Sequence, residues 1–305
     1  MDRIKFTITE KVEYPINAAL FEEKTSLKPP HCADEANPKE SAHYAVCPAC
    51  DNPVQIIGLY KRLQSTDKPY AKHIPQSIEA LATYVQENYD YCPLRAKRIR
   101  HKEYAKRLKG NTLSLKIIQR LIEEFDRIIF FMEYKTGIFI SYQFAKELIH
   151  RYFRNEGYLF YDSSLNNIPL KLFHASFPAH RLYGRIIFNY RLQEAIMKAF
   201  PQTQFVNNKI VSNTAQFIDV SFAFIHHEIH HAQERTEESI VLSVVTSQEN
   251  SPLPRKIYKE KIVYDTQEYQ EWVLRPFDKL TEKQQERSVT LLKVAKEEAK
   301  LFHFA

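Results

Sequence analysis

Glycine is scarce in this chain: only five of its 305 residues are glycine, and neither a GxGxxG nor a GxxxxGK[ST] sequence occurs. Glycine lets a backbone approach a phosphate group closely, so these absences argue against a dinucleotide-binding or P-loop nucleotide site. The sequence GxSxG is absent as well, which removes the usual signal of an α/β-hydrolase nucleophile.

Long apolar stretches are also missing. No run reaches the roughly eighteen residues that a membrane-spanning helix needs, and residues 1–8 alternate polar and apolar side chains, unlike a signal peptide. Four cysteines in such a chain are more typical of metal binding in a reducing compartment than of disulfides. The sequence therefore predicts a soluble, cytoplasmic protein that does not enter a membrane.

Apolar and charged residues are abundant. The hydrophobic fraction is 44% and the aromatic fraction 13%, which is ample for a packed core. A chain of 305 residues exceeds the usual single domain, so we expect a small module joined to a larger one. The net charge of +6 is modest for this length, so only local clusters of charge can indicate a polyanionic partner.

The most informative stretch is the sequence CPAC, followed downstream by a histidine and a further cysteine. Four such soft or borderline donors suit a closed tetrahedral zinc site, which leaves no coordination position for a reactive water. We therefore predict a structural zinc ion whose binding energy contributes to folding. His31 and Cys32, in the preceding loop, remain alternatives to the histidine. The predicted ligands are Cys47, Cys50, His73 and Cys92.

A basic segment follows the last cysteine. Residues 95–109 contain eight lysines or arginines and one acid, Glu103, and a polyanion would relieve the repulsion between these like charges. Pro93 suits a first helical turn and Gly110 a position beyond a helix end, so we predict one basic helix that contacts phosphates. An acidic membrane surface fits less well, because the segment lacks a large apolar face. The predicted nucleic-acid-binding residues are Arg95, Lys97, Arg98, Arg100, Lys102, Lys106, Arg107 and Lys109.

Apolar periodicity indicates the fold class. Residues 115–134 carry apolar side chains at every third or fourth position, and Ser141 can cap a second helix, which predicts a helical hairpin. A further terminal helix is predicted at residues 281–302. Strands are predicted at residues 158–161, 170–173, 185–188, 217–225, 239–245 and 256–264.

We therefore predict an α+β protein, in which a small zinc-stabilised module accompanies a larger domain with a helical hairpin and a largely antiparallel sheet. The expected parts are an N-terminal region of strand and loop over residues 1–40, the zinc module with its basic helix over 41–110, and the α+β domain over 111–305.

A second motif points to a different class of protein. The run His227-Glu228-Ile229-His230-His231 matches HExxH, which on a helix places both outer imidazoles on one zinc ion and the glutamate beside it as general base. Val220, Phe222 and Phe224 alternate just before it and favour a strand, where the outer histidines would be about 13 Å apart at roughly 3.3 Å per residue. We expect the strand and keep a zinc-dependent hydrolase or metallopeptidase as the alternative.

Together these patterns predict a nucleic-acid-binding protein with a structural zinc site. We expect it to be a non-catalytic subunit of a nucleoprotein complex serving defence, gene transfer or RNA-guided targeting, with DNA or RNA and other protein subunits as partners. Clustered lysine and arginine neutralise phosphates without reading base sequence, so the pattern does not separate DNA from RNA.

Overall fold

A computed structural model describes residues 1–61, 68–95, 104–214, 218–231, 236–248 and 251–304. The chain divides into two compact units. Unit 1 consists of Met1–Lys116, Leu159–Asn166 and His230–Thr236, and unit 2 consists of Ile117–Tyr158, Asn167–Ile229 and Glu237–Ala305.

Unit 1 is built from short strands and two short helices. One antiparallel pair joins β1 (Arg3–Ile4) and β2 (Tyr14–Pro15), and a second antiparallel sheet has the order β3-β4-β5 (His43–Val46, Pro53–Ile57 and Tyr70–His73). The helices are α1 (Ala18–Thr25) and α2 (Gln86–Asp90). The CPAC sequence forms the turn between β3 and β4, so the predicted metal ligands lie at the end of a hairpin.

Unit 2 contains the longer elements, and α3, the first of them, starts before the unit boundary. Its helices are α3 (Thr112–Glu123), α4 (Phe125–Thr136), α5 (Tyr142–Arg154), α6 (Ile168–His174), α7 (Tyr190–Ala199), α8 (Thr266–Leu274) and α9 (Glu282–Leu301). Its strands are β6 (His180–Arg181), β7 (Thr203–Val206), β8 (Lys209–Ser212), β9 (Ser221–His231), β10 (Thr236–Gln248) and β11 (Ser251–Tyr264). One sheet has the order β11-β10-β9-β6, and β7 pairs with β8.

The helical hairpin is confirmed, with one difference at its first helix. Ser141 caps α5 by accepting from the Phe144 amide at 3.2 Å, and Gly137 ends α4 with a φ of 64°. The helix predicted over residues 115–134 is broken at Glu124, whose buried carboxylate accepts from Arg120 and from the Tyr269 hydroxyl. The long helix α9 packs against α4 and α5 and completes this part of the core.

The α+β class is confirmed, but three predicted strands are wrong. Residues 158–161 overlap a 3₁₀ turn at Gly157–Leu159, and residues 185–188 form isolated bridges at Ile186 and Ile187 instead of a strand. Residues 170–173 lie in α6, a helix in which every residue is buried. A continuous apolar run cannot distinguish a buried strand from a buried helix, and Pro169 in the first turn favours the helix. In the described part of the chain, no helix is both long enough and apolar enough to cross a membrane.

Candidate metal centre and buried polar networks

The four predicted ligands converge in unit 1. Their donor atoms all lie within 4.8 Å of one another. The sulfurs of Cys47 and Cys92 are 3.7 Å apart, and the Cys50 sulfur lies 3.4 Å from Nε2 of His73. Thiolates bound tetrahedrally at about 2.3 Å stand roughly 3.8 Å apart, so these separations match the edges of a tetrahedral site. The cluster can hold one metal ion.

The β3–β4 turn supplies the first two donors. The Cys47 amide donates to the carbonyl of Asn52 at 2.8 Å, and the Asp51 amide donates to the carbonyl of Cys47 at 3.0 Å. Asp51 adopts a left-handed φ of 58°. Its carboxylate forms ion pairs of 2.5 Å with Lys5, which is 2% exposed, and of 2.6 Å with Lys116. These pairs hold the turn in the interior of unit 1.

The other two donors come from β5 and from the loop after α2. His73 pairs with Val54 of the neighbouring strand, which places its ring beside the turn. The buried Asn52 side chain donates to the carbonyl of Val85 at 3.1 Å and accepts from the Val85 amide at 2.7 Å. The helix α2 begins at the next residue and leads to Cys92. One amide side chain thus positions both the turn and the segment carrying the last thiol.

Protonation of the three thiols is linked. Burial opposes ionisation of Cys47, but hydrogen bonds from Cys50 and Cys92 together with the nearby His73 hold the pKa of the Cys47 thiol well below its usual value. Burial and the Cys47 thiolate raise the pKa of Cys50 and Cys92 well above the usual value. A bound cation would favour the ionised form of all three thiols.

The two alternative ligands have other roles. A ring nitrogen of His31 lies 3.1 Å from a backbone carbonyl, and the ring packs at about right angles to Phe6 and Phe21. Cys32 is a buried thiol whose pKa is raised by burial. Neither belongs to the converging group, whose fourth donor is His73.

The basic segment differs from its predicted form. Lys97, Arg98, Arg100 and Lys102 lie outside the described residues. Residues 104–108 are not helical, so the single helix predicted between Pro93 and Gly110 is wrong for this part. Instead an antiparallel bridge joins Lys106 to Phe160, with an amide–carbonyl bond of 2.7 Å from Arg107 to Leu159. The apolar stripe was too thin to stabilise a helix, whereas pairing satisfies the backbone groups.

Arg107 is a structural residue and not an exposed phosphate ligand. It is 3% exposed, and its Nη2 donates to the carbonyls of Tyr161 and Ser163 at 2.9 and 2.6 Å. Burial lowers the pKa of its guanidinium, which Asp162 partly offsets. Composition alone cannot identify such a residue, because a buried arginine and a surface arginine look identical in a basic run.

The other three described basic residues divide between two roles. The Arg95 guanidinium donates to Asp90 and lies 4.6 Å from the centre of the Tyr89 ring, so it is occupied within the loop that carries the last thiol. Lys106 and Lys109 are exposed. Two of the four described basic residues therefore stabilise unit 1, and two face solvent.

Stacked tyrosines connect the metal cluster to this segment. Tyr91, which precedes Cys92, stacks on Tyr161 with ring centroids 3.7 Å apart and planes 5° apart. A hydrogen bond between the two phenols raises the pKa of Tyr91 to about 12. The Tyr161 amide in turn donates to the carbonyl of Ala105 at 2.9 Å. A chain of contacts therefore runs from the residue before Cys92 through Tyr161 to the backbone of Ala105.

The HExxH match lies in strand β9, as the apolar alternation predicts. His226 has a left-handed φ of 53°, and the buried positions shift by one residue there, from Phe224 to His227 and Ile229. A strand separates the outer histidines by roughly 13 Å, and Glu228 is exposed. The helix that an HExxH site requires is not formed here, so the motif gives no support to the hydrolase alternative.

His227 belongs instead to a buried network in unit 2. Its Nε2 lies 2.6 Å from Glu238, and its Nδ1 lies 3.4 Å from the Lys171 ammonium, which is also 3.4 Å from Nδ1 of His174. Asn167 donates to the same Glu238 oxygen at 2.5 Å. Lys171 and His174 are 1% and 2% exposed. No sequence spacing indicated this group, because α6, β9 and β10 each contribute to it.

A second buried group in unit 2 has the connectivity of a serine–histidine–glutamate triad. The Ser176 hydroxyl lies 3.0 Å from Nε2 of His180, whose Nδ1 lies 3.2 Å from Glu147. Ser176 is 1% exposed, however, and its hydroxyl donates to the carbonyl of Phe173 at 2.8 Å. A nucleophile must reach a substrate, so this group is better explained as a structural hydrogen-bond network.

Comparisons with known proteins give no family: no protein-family model, no curated protein and no solved structure matches this chain.

Proposed function

We propose that this chain is a nucleic-acid-binding protein in which a structural zinc ion fixes the base of a basic segment. The ion is held by Cys47, Cys50, His73 and Cys92, and the segment spans residues 95–109. The protein acts as a non-catalytic subunit of a nucleoprotein complex. The observation that carries the proposal is the converging Cys₃His group directly before eight like charges.

Zinc is the metal that the donor chemistry favours. Three thiolates and one imidazole are soft or borderline ligands, which select zinc over calcium or magnesium. Four protein donors complete a tetrahedral shell, so the ion has no open position for water and is structural. Tyr91, beside Cys92, stacks on Tyr161, and the Tyr161 amide donates to the carbonyl of Ala105. Through these contacts, binding of the zinc ion also orders the segment proposed to contact phosphates.

The segment favours a polyanion because its charge is predominantly positive, with eight lysines or arginines and the single acid Glu103. Lys106 and Lys109 are exposed, and clustered cations bind phosphates through release of counterions from the nucleic acid. Such contacts give affinity without base specificity, which agrees with a subunit that holds nucleic acid while other components of a complex select it.

The test combines metal content with binding. Mass spectrometry of the purified protein should give one zinc per chain, lost in Cys50→Ser. The double variant Lys106→Glu/Lys109→Glu should weaken binding of DNA and RNA together, and each lost contact should reduce the slope of log affinity against log salt by about one.

The matched control is Lys283→Glu/Lys296→Glu, which makes the same change in net charge at exposed positions of α9. It should leave affinity within about twofold. Equal weakening by both double variants, or no binding of DNA or RNA at low salt, would contradict the proposal.

A further inference from the structure

We infer that residues 104–109 form a binding site for unpaired nucleobases, so that the ligand of this segment is a single strand and not a duplex. The inference rests on the proposed function and adds the class of nucleic acid. It is carried by the pattern of exposed side chains that the extended conformation creates.

Pairing with residues 159–161 fixes which side chains face outward. The backbone of Ala105 and Arg107 is bonded to the partner segment, and the Arg107 side chain is buried. Alternation along the extended chain then places Lys106 and Leu108 on the other face. Tyr104 precedes the extended stretch with a left-handed φ of 63° and is placed by its contact with Phe160. Tyr104 is 39% exposed, Leu108 is 78% exposed, and Lys106 is exposed as well.

The outward face combines an aromatic ring with positive charge at close range. The rings of Tyr104 and Phe160 have centroids 5.4 Å apart in an edge-on arrangement, and the Lys106 ammonium lies 5.8 Å from the centre of the same Phe160 ring. Phe160 is 1% exposed and therefore fixed. A tyrosine held by a buried ring loses little conformational freedom on binding, which favours its use as a stacking surface.

This combination distinguishes a single strand from a duplex. Unpaired bases offer free faces to an aromatic side chain, while neighbouring cations follow the phosphates. In a duplex the bases are stacked on each other, and an exposed ring gains contact only if a base step is opened at a cost of a few kcal/mol. A surface built for duplex phosphates alone would have no use for an exposed tyrosine and leucine beside its lysines.

The test compares oligothymidylate with a hairpin duplex of equal phosphate number at one salt concentration. Tyr104→Ala should weaken binding of the single strand roughly tenfold, as expected for loss of one base–aromatic stack, and should change duplex affinity less than about twofold. Tyr104→Phe should keep single-strand affinity, because the ring is retained. Tyr70→Ala is the matched control, since Tyr70 is 38% exposed in the same unit.

The outcomes separate the two proposals. If neither ligand binds, the proposed function fails and this inference fails with it. If both ligands bind but Tyr104→Ala leaves the single strand unaffected, or weakens both ligands equally, the segment binds nucleic acid through charge alone and the base-stacking site is refuted. Tyr104→Phe and the duplex measurement show in each case whether the variant is folded.

Discussion

Both units bury a cluster of polar side chains, but the two clusters balance their charge differently. In unit 1, three thiols and an imidazole converge on a common centre, and each offers one atom that can bind a metal ion. In unit 2, two imidazoles converge on the Lys171 ammonium, and Glu238 balances it through His227. The first cluster can hold a cation from outside the chain, whereas the second contains its own cation.

This difference determines what each unit depends on. The described part of unit 1 has short strands and short helices, and the proposed zinc ion would contribute directly to its folding. Unit 2 has long helices and strands around an apolar interior, including Leu148, Leu242 and Leu291. The two units should therefore respond to different perturbations.

The largest expected effect is metal removal. Cys50→Ser, or a chelator added to the wild type, should unfold unit 1, because structural zinc sites contribute on the order of 10 kcal/mol. Unit 2 should keep its protection against hydrogen exchange. Hydrogen exchange measured for individual peptides reports on both units in one sample. Cys32→Ala, which changes a buried thiol outside the cluster, should leave metal content unchanged; equal loss of protection in both units would break the comparison.

Removing the internal cation should act on the other unit. Lys171→Met should destabilise unit 2 by about 3–5 kcal/mol, because it leaves the buried Glu238 carboxylate without a compensating cation, and a chelator should not change this loss. Adding Glu238→Gln should recover part of it, since the uncompensated carboxylate is then neutral. Lys261→Met, at a surface ion pair with Glu237 in which both side chains are exposed, should cost less than about 1 kcal/mol. Denaturant unfolding measures the change in the free energy of unfolding for each of the three variants.

Acid should weaken unit 2 through His180. Burial, with the nearby Arg151, lowers the pKa of His180 to about 4 from 6.5, so the unfolded chain binds the proton more readily. The contribution of neutral His180 to the free energy of unfolding is complete above pH 6.5. It is lost as the pH falls towards 4, by up to about 3 kcal/mol. His180→Gln should flatten the pH dependence of unit 2 stability over that window. An unchanged slope would show that another group titrates there.

Acid should have the opposite effect at Glu13 in unit 1. Burial raises the pKa of Glu13 from 4.5 to about 7, although Arg3 and Asn166 oppose the shift. The folded state then binds the proton more readily, so this contribution is present below pH 4.5 and is lost as pH rises through 7. Glu13→Gln should remove that dependence. Metal content must be held saturating, because acid also protonates the thiols. A dependence of the same sign as that of His180 would contradict the assignment.

Several features could be predicted from sequence because neighbouring residues determine them. The spacing of Cys47 and Cys50 predicts a turn that presents two thiols, and Ser141 and Gly137 mark helix ends through local backbone bonds. The apolar alternation entering β9 predicts its strand. Residues 170–173 gave the wrong element, since a short apolar run suits a buried helix and a buried strand equally.

The amino-acid sequence by itself determined the four metal donors and the elements with clear apolar periodicity, because ligand type and helical or strand period are local properties. Tertiary structure alone decided which charged side chains are buried and which groups they contact. Arg107 became a buried anchor because residues 161–163 offer it carbonyls, and His227 turned inward because His226 adopts a left-handed φ. Lys171 contacts His227 on a strand distant in sequence, and that histidine in turn contacts Glu238 on the next strand. A charged side chain's energy depends on its surroundings after folding, and these are non-local.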